Sequence, residues 1–355
     1  MRAWARRDYG SRNAAGHGHA TTSAVVKRGN RERLRERMGA PSAIRLPDSQ
    51  SLARVLGAGS VIVAREPNVC TSRFGSEVIT CQDGDGAIHR LLCKYGPTAA
   101  GSGHGHRGGV AYEGAVYRYA LEPEGMGTAR LWAVHDECEQ GLTWLVIEYF
   151  DGAERANWDP AAILPAARWI ARFHATMERR VDAPELAFLS RYDERYLAPW
   201  AERADQLVGE TGRRRFTWWP RLSERFRECV ELLLGAPTTV IHGEFYPSNV
   251  LRVGDAIRPV DWESAAVGAG EIDLASLVEG WPEKLARECV ENYIVIRWPE
   301  GAPASFERVL DAARVYLALR WLGDESVPNN KNSKRREKAH YDELDRAARR
   351  LGIIA

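Results

Sequence analysis

Hydrophobic positions divide the chain into two parts with different periods. Between about residues 50 and 150, short runs of aliphatic and β-branched residues alternate with turn residues, and this pattern predicts strands. From about residue 160 onward, apolar residues recur every three or four positions, which predicts helices. The pattern therefore predicts an α+β protein with a β-rich first half and a mostly helical second half.

The first half is predicted to consist of antiparallel strands with one inserted helix. Residues 82–86 form a turn of the Asp-Gly type that joins hairpin strands. A short helix is expected at 52–56, and a glycine-rich linker at 96–109 precedes a helix at 110–121. The predicted strands cover residues 61–64, 77–81, 88–94, 131–134 and 142–148.

The second half is predicted to be helical, interrupted by one hairpin at 250–260. Asp159 before Pro160 is typical of a helix start, because its side-chain oxygen caps the first turn and proline is tolerated at the first helical position. The apolar stripes comprise Ile163, Ala167, Ile170, His174 and Met177; Leu222, Phe226, Cys229, Val230 and Leu233; Phe306, Val309, Leu310, Ala313, Leu317 and Trp321; and Tyr341, Leu344, Ala348 and Leu351.

This order of elements predicts two lobes joined by a short connector. The small β-rich N-lobe is expected over residues 44–150 and the larger, mostly helical C-lobe over residues 151–355. Ligands commonly bind in the cleft between two such units, so we expect the functional site there.

Residues 1–43 differ in composition from the rest of the chain. The first 37 residues carry ten basic and three acidic side chains, a net charge of +7, and have few large aliphatic residues. Such a segment buries too little apolar area to fold. We expect a disordered basic tail, or a translation start at Met38, rather than a basic arm for an anionic partner.

The composition of the 355 residues is that of a soluble globular protein, with 45% hydrophobic and 27% charged residues. The net charge of +1 argues against nucleic acid or an anionic membrane as a partner. No apolar run approaches the ~18 residues of a membrane span, and the N-terminus lacks the apolar region of a secretory signal. The six cysteines include no Cys-x-x-Cys pair, so we expect free thiols in a cytoplasmic protein.

The stretch from Val240 to Glu263 contains residues suited to phosphoryl transfer. This chemistry needs metal ligands, a cation on the phosphates and a carboxylate that orients the attacking hydroxyl. Asn249 and Asp261 provide the amide and carboxylate oxygens that Mg²⁺ prefers. Glu244, five residues before Asn249, is placed to receive a substrate hydroxyl.

Two residues far upstream complete the predicted site. Lys94 lies at the end of a predicted strand and can reach the α- and β-phosphates of a nucleotide. Glu113, on the following helix, can form an ion pair with Lys94 and fix its direction.

The spacing of these residues resembles that of the aminoglycoside phosphotransferase and choline kinase-like family, which is related to the protein kinases. The resemblance rests on His242-Gly-Glu followed after four residues by Asn249, on Asp261-Trp-Glu263, and on Gly268 followed by Asp273-Leu274. Any one of these motifs is weak alone, but their order and spacing together are specific. With Lys94, Glu113 and the connector at 145–152, the resemblance covers residues 44–322.

The resemblance implies a two-lobed, protein-kinase-like α+β fold that transfers phosphate from ATP, with Mg²⁺, to a hydroxyl of a small molecule. It implies that Asn249 and Asp261 bind the metal and that Glu148 and Phe150 offer backbone groups to the adenine. The loop at 70–76, which includes Ser76, would cover the phosphates, and Asp273 would brace the catalytic loop.

Glu244 departs from the family pattern, in which aspartate is usual. The extra methylene displaces the carboxylate by ~1 Å, and a misplacement of that order can cost ~10²-fold in rate. We expect an active enzyme because the lysine, its glutamate and both metal ligands are present together. The alternatives are a pseudokinase that only binds nucleotide, and a kinase for Ser or Thr of a natural-product precursor peptide.

Several other features have simpler interpretations. His242 is expected to pack and hydrogen-bond within its loop rather than act as a base. His104 and His106 are too few for a closed metal site and are expected in a flexible linker. The basic segment at 331–350 is expected to be a solvated helix face rather than a site for an anionic substrate. Either a pocket for a ring-bearing substrate or the core can account for Trp200, Trp218, Trp219, Trp281, Trp298 and Trp321.

Overall fold

A computed structural model describes residues 47–68, 74–97, 107–137, 141–324 and 331–355. The predicted tail at 1–43 lies outside these residues, as do residues 70–73 of the predicted phosphate loop, Cys138, and His104 and His106 of the linker. The predicted limits of the two lobes stay predictions.

The N-lobe is built on one antiparallel sheet of five strands in the order β1-β2-β3-β5-β4. All five predicted strands are present. Strand β5 has its predicted bounds, β2 is longer at both ends, and β1, β3 and β4 extend three residues beyond their predicted C-terminal ends. Their bounds are β1 (Val61–Pro67), β2 (Gly75–Gln82), β3 (Ile88–Pro97), β4 (Leu131–Glu137) and β5 (Leu142–Glu148).

Both faces of this sheet are covered by a helix. On one face, Trp144 and Val146 of β5 pack in a cluster with Leu52 of α1 (Ser49–Leu56). On the other face, Leu145 and Ile147 join the core that includes α2 (Gly109–Val116). Successive residues of a strand point to opposite faces, so a strand buried on both sides is continuously apolar. This explains the uninterrupted apolar run at 144–147.

The C-lobe is mostly helical, as the apolar periodicity predicts. Helix α9 packs against α5, α6, α7 and α10, and α3 packs against α8. Among the described residues, no helix is long and apolar enough to cross a bilayer. The helices are α3 (Ile163–Glu178), α4 (Glu194–Leu197), α5 (Pro199–Arg215), α6 (Trp219–Leu234), α7 (Glu271–Val278), α8 (Glu283–Arg297), α9 (Phe306–Gly323) and α10 (Lys331–Arg350).

The prediction of a single hairpin in the C-lobe is wrong, because two three-stranded sheets are present. The expected hairpin is formed by β9 (Val250–Val253) and β10 (Ala256–Pro259), which β6 (Glu154–Arg155) extends. A second sheet has the order β7-β11-β8, with a parallel β7–β11 pair. Strands of two to four residues are too short to show a period of two, which is why the sequence does not predict them. The second sheet contains β7 (Ser190–Arg191), β8 (Thr238–Ile241) and β11 (Ala266–Ala269).

Two helix boundaries differ from the prediction. The helix expected at 110–121 is α-helical only to Val116 and continues as a π-helical turn over Tyr117–Leu121. Asp159 caps as predicted, accepting a hydrogen bond from the Ala161 N–H at 2.9 Å. The capped segment is a 3₁₀ turn, however, and α3 begins only at Ile163.

The tryptophans of the C-lobe belong mainly to the core. Trp200 and Trp219 are each 1% exposed. Trp218, Trp281 and Trp298 are partly buried against the same core. This favours packing over a ring-binding pocket as the reason for the tryptophan content.

We predict that Trp219→Ala destabilises the protein by ~3–5 kcal/mol, the usual cost of removing a fully buried aromatic side chain. The Trp219 indole also donates a hydrogen bond to Asp205 Oδ1 at 2.8 Å, which the substitution removes. The free energy of unfolding in urea measures the effect. Trp158→Ala, at a residue that is 65% exposed, is the matched control and should change stability by less than ~0.5 kcal/mol. Equal stability of the two variants would contradict the core assignment.

Candidate active site

Lys94 joins the N-lobe to the segment that follows the C-lobe hairpin. Its ammonium group donates to both carboxylate oxygens of Glu113 at 2.8 Å and to Asp261 Oδ1 at 3.0 Å. Lys94 is 5% exposed and Glu113 is fully buried. Glu113 also accepts a hydrogen bond from the Trp262 N–H at 3.2 Å. The structure thus contains the predicted Lys94–Glu113 ion pair and adds a contact between Lys94 and Asp261 that the sequence did not predict.

The electrostatics of this group favour the charged forms of Lys94 and Asp261, whereas burial raises the pKa of Glu113. Burial opposes the charge on Lys94, but the Asp261 and Glu113 carboxylates outweigh burial and raise the pKa of Lys94 above its ordinary value. Conversely, the Lys94 charge lowers the pKa of Asp261 and outweighs the opposing effect of desolvation. Asp261 therefore remains a carboxylate at neutral pH.

The loop after β8 is held by Asp273, at the start of α7. One oxygen of Asp273 accepts the His242 N–H at 2.6 Å and the other accepts the Gly243 N–H at 2.9 Å. His174 contacts the same carboxylate at 3.2 Å, and Asp273 itself is fully buried. Buried backbone donors require such partners. The bracing contact implied for Asp273 is present.

His242 is buried and uses both ring nitrogens within the loop. Its Nδ1 accepts the Glu244 N–H at 3.3 Å, and its Nε2 lies 3.0 Å from the Val260 carbonyl, to which it donates. A ring engaged at both nitrogens has no lone pair available for a substrate proton. The structural interpretation of His242 is therefore preferred over that of a base.

Glu244 and Asn249 lie on the same loop. The side-chain amide of Asn249 donates to the Glu244 carbonyl at 3.0 Å. Glu244 is 8% exposed. Its carboxylate accepts a hydrogen bond from Arg107 at 2.8 Å and lies 3.7 Å from Arg320.

Asn249 and Asp261 fit the donor set expected for a divalent cation. Because the Asn249 nitrogen is engaged by Glu244, the amide oxygen is the atom left to bind a cation. The second side chain, Asp261, is 38% exposed and is held ionised by Lys94. No group of three or more His, Cys, Asp or Glu suited to a metal is found in the described parts of the chain. Mg²⁺ bound by one carboxylate, one amide and nucleotide phosphates needs no such group.

The remaining predicted nucleotide contacts lie on β2, at the end of β5 and two residues beyond it. Ser76 on β2 is paired with Lys94 across the sheet, and its hydroxyl accepts from the Asn68 amide at 3.1 Å. Glu148 ends β5, and its N–H donates to the Arg130 carbonyl at 2.9 Å. Any backbone contact of Glu148 with a nucleotide therefore falls on its carbonyl. The Phe150 ring, two residues on, faces the Arg258 guanidinium at 5.7 Å.

Glu263 is a buried carboxylate at the end of the Asp261-Trp-Glu263 motif. Burial, together with the nearby Asp261, Glu113 and Glu244 charges, raises the pKa of Glu263 to about 7. One of its oxygens is buried without a hydrogen-bond partner in the described structure. Glu263 is therefore close to half-protonated at neutral pH.

The sequence reasoning missed Arg107 and Arg320, which contact the Glu244 region. Arg320 is 3% exposed and lies on α9 within the apolar run at 315–322. A single arginine inside an apolar helical stripe is a signal of a buried, paired charge, because arginine is almost never fully buried unless paired. Arg107 has no comparable signal, since it lies within the glycine-rich linker.

Two well-formed cavities of about 400 and 460 Å³ lie elsewhere. Both are lined by Met126, Trp169 and Arg172, and neither includes a motif residue. Neither cavity locates the candidate site, and the convergence of charged groups does.

The two-lobed fold and the convergence of Lys94, Glu113 and Asp261 define a kinase-like phosphotransferase. The chain belongs to the phosphotransferase enzyme family (APH), whose family model matches residues 106–304. The family predicted from the motifs is confirmed.

The chain is similar to several characterised proteins. It is 28% identical over 162 residues to the glucosamine kinase of Streptacidiphilus jiangxiensis, an alignment that covers 43% of this chain and 36% of that protein. An aminoglycoside phosphotransferase from Alicyclobacillus acidocaldarius has a TM-score of 0.57 at 15% identity, covering 89% of this chain and 97% of that chain. Amicoumacin kinase hAmiN in complex with AMP-PNP, Ca²⁺ and Ami has a TM-score of 0.55 at 12% identity, covering 92% and 96%. These structures confirm the predicted fold class.

We predict that Glu263 lowers stability as the pH rises. The pKa of Glu263 is about 7 in the folded protein against 4.5 ordinarily. Its contribution to the free energy of unfolding is therefore fully present below pH 4.5 and is lost as the pH rises past 7. The loss is at most about 3 kcal/mol. Urea unfolding of the ligand-free protein with EDTA, at pH 5 and pH 8, should show wild type losing stability relative to Glu263→Gln at the higher pH.

Glu283→Gln is the control for this measurement, because the Glu283 side chain is 89% exposed. Its stability should follow that of wild type at both pH values. A stability difference between wild type and Glu263→Gln that is the same at pH 5 and pH 8 would contradict the raised pKa.

Proposed function

We propose that this protein transfers the γ-phosphoryl group of ATP, with Mg²⁺, to a hydroxyl of a small molecule. The observation that carries the proposal is the Lys94 ammonium group within 3.0 Å of both Glu113 and Asp261. Such an ion pair beside a metal-binding carboxylate is the arrangement that holds nucleotide phosphates in kinases.

In the proposed reaction, the acceptor oxygen forms a bond to the γ-phosphorus as the bond from that phosphorus to the β–γ bridging oxygen breaks. ADP leaves, and the hydroxyl proton passes to the Glu244 carboxylate and then to solvent. Lys94, directed by Glu113, holds the α- and β-phosphates. Asn249 and Asp261 hold Mg²⁺, which neutralises charge on the phosphates. Ser76 lies beside the phosphates, and the Glu148 carbonyl and Phe150 N–H hold the adenine.

The nucleotide and the metal are supported by the neighbours' chemistry as well as by the site. The structure of amicoumacin kinase contains AMP-PNP and Ca²⁺. The paired Asn249 and Asp261 oxygens are hard donors that suit Mg²⁺ equally well. We place the enzyme in the cytoplasm, where ATP and reduced cysteines are both found; Cys81, Cys93, Cys229 and Cys289 are free thiols.

For the acceptor, we propose a hydroxyl of a small sugar or antibiotic, and glucosamine is the first compound to test because of the glucosamine kinase relative. A peptide serine or threonine is the second candidate. The third reading, a pseudokinase, rests on Glu244 standing where aspartate is usual.

We predict that Glu244→Ala retains ATP binding but loses transfer by about 10²–10⁴-fold, the usual contribution of a positioned acid or base. Asp261→Ala should abolish turnover, because it removes a metal ligand and leaves Lys94 with one carboxylate partner fewer. ADP release in the presence of glucosamine, other sugars, antibiotics, serine peptides or water measures turnover, and calorimetry with ATP measures binding.

Asp182→Ala, whose side chain is 85% exposed, is the control and should behave as wild type. Normal turnover in Asp261→Ala would overturn the site assignment. Tight ATP binding by wild type without turnover on any acceptor or water would favour the pseudokinase, and transfer to serine peptides alone would favour the peptide kinase.

A further inference from the structure

Two arginines from different parts of the chain converge on one oxygen of Glu244. Arg107 Nη2 donates to Glu244 Oε1 at 2.8 Å, and Arg320 Nη2 lies 3.7 Å from the same oxygen. Arg107 precedes α2 of the N-lobe, whereas Arg320 lies on α9 of the C-lobe. The carboxylate is therefore approached from both lobes at the same atom.

Each arginine is itself held in place. Arg320 donates to the Gly243 carbonyl at 2.9 Å and to the Tyr246 hydroxyl at 2.5 Å. The Tyr246 hydroxyl also accepts from the Trp321 indole at 2.9 Å. Arg320 is thus fixed to the backbone and side chains of the loop that carries Glu244.

Arg107 is fixed by two further carboxylates. Its Nη1 lies 3.5 Å from Asp324 and its Nε lies 3.8 Å from Glu263. The Gly108 N–H, one residue on, donates to the Glu263 carbonyl at 2.7 Å and holds the backbone beside the site. Among the described residues, the guanidinium therefore contacts three acids, and the contact with Glu244 is the shortest of the three.

These contacts restrict the Glu244 carboxylate, which its longer side chain would otherwise leave more mobile than that of an aspartate. A glutamate has one more rotatable bond than an aspartate, so its carboxylate is less restricted unless neighbours fix it. Hydrogen bonds to a charged group are the strong ones, and a guanidinium also fixes direction. Both contacts fall on Oε1, which leaves Oε2 for the acceptor.

We propose that Arg107 and Arg320 are positioning residues that clamp Glu244 through Oε1 and direct Oε2 toward the acceptor hydroxyl. This inference rests on the proposed function, because it assigns Glu244 the role of receiving the acceptor proton. The clamp explains how this chain uses glutamate at the position: the arginines hold the longer side chain in one orientation.

Arg107 is the better residue to test. Arg320 also holds the Gly243 carbonyl, so its removal would disturb the loop as a whole. The Arg107 side chain is 22% exposed and its removal leaves the loop backbone bonds intact. The variants are Arg107→Gln, Arg107→Lys, Glu244→Asp and the double variant Arg107→Gln/Glu244→Asp. Arg191→Gln, in an exposed ion pair with Asp182, is the control.

The reaction measured is ADP release from Mg-ATP, with glucosamine and with water alone as acceptors. Arg107→Gln should lower kcat by about tenfold to 10²-fold, the range expected for a misplaced catalytic group, while KM for ATP stays unchanged. Arg107→Lys keeps the charge without the fork and should fall between Arg107→Gln and wild type. The aspartate of Glu244→Asp is too short to keep the Arg107 contact. Adding Arg107→Gln to Glu244→Asp should therefore lower kcat much less than adding it to wild type.

Three results would overturn the clamp. They are an unchanged or increased kcat in Arg107→Gln, an equal loss on adding Arg107→Gln to wild type and to Glu244→Asp, and a loss confined to KM for ATP. An increased kcat would indicate that Arg107 occupies the acceptor position and must be displaced before transfer. Lack of turnover in wild type would overturn the proposed function as well, whereas turnover that Arg107→Gln leaves unchanged would overturn only the clamp.

Discussion

One buried ammonium group connects three segments that are far apart in the chain. Lys94 from β3, Glu113 from α2 and Asp261 after β10 meet within hydrogen-bonding distance. A buried lysine is costly unless it is paired, and removing one partner of such a group leaves an uncompensated charge. The ion pairs thus restrict where the N-lobe sheet and helix lie relative to the segment at 260–262, and they assemble the chemistry of the site at the same time.

The parts of this fold that the sequence predicted share one property: they are long enough to show a period. The five strands of the N-lobe and the long helices of the C-lobe repeat their apolar pattern several times. The strands β7 and β11 do not, because two to four residues contain at most one or two alternations. The sequence does not predict the π-helical turn after Val116 either, since its apolar residues also suit an α-helix.

Some residues of the candidate site can be predicted from the sequence, and others only from the fold. Asn249, Asp261, Lys94 and Glu113 follow from motif spacing, because each occupies a set position on an element that the motif defines. Arg107 and Arg320 reach Glu244 only through tertiary packing, and no spacing links residue 107 to residue 320. The position of Arg320 in an apolar stripe indicates a buried charge. Its partners, the Gly243 carbonyl and the Glu244 carboxylate, can be identified only once α9 is packed against the loop at 242–249.

Backbone packing explains why the extra length of Glu244 must be absorbed by its side chain. Gly243 has φ +78°, and a Cβ there would meet the Ser264 carbonyl at 2.2 Å, so the two loops are in direct backbone contact. Asp261 has φ 72°, a left-handed conformation that costs a non-glycine residue roughly 1–2 kcal/mol. Such strain persists only where the surroundings over-determine it, here through Lys94, which contacts the Asp261 carboxylate, and Glu113, which accepts the Trp262 N–H. A loop so constrained has no freedom to retreat by the length of a methylene, and the adjustment falls to the Glu244 side chain and the arginines that contact it.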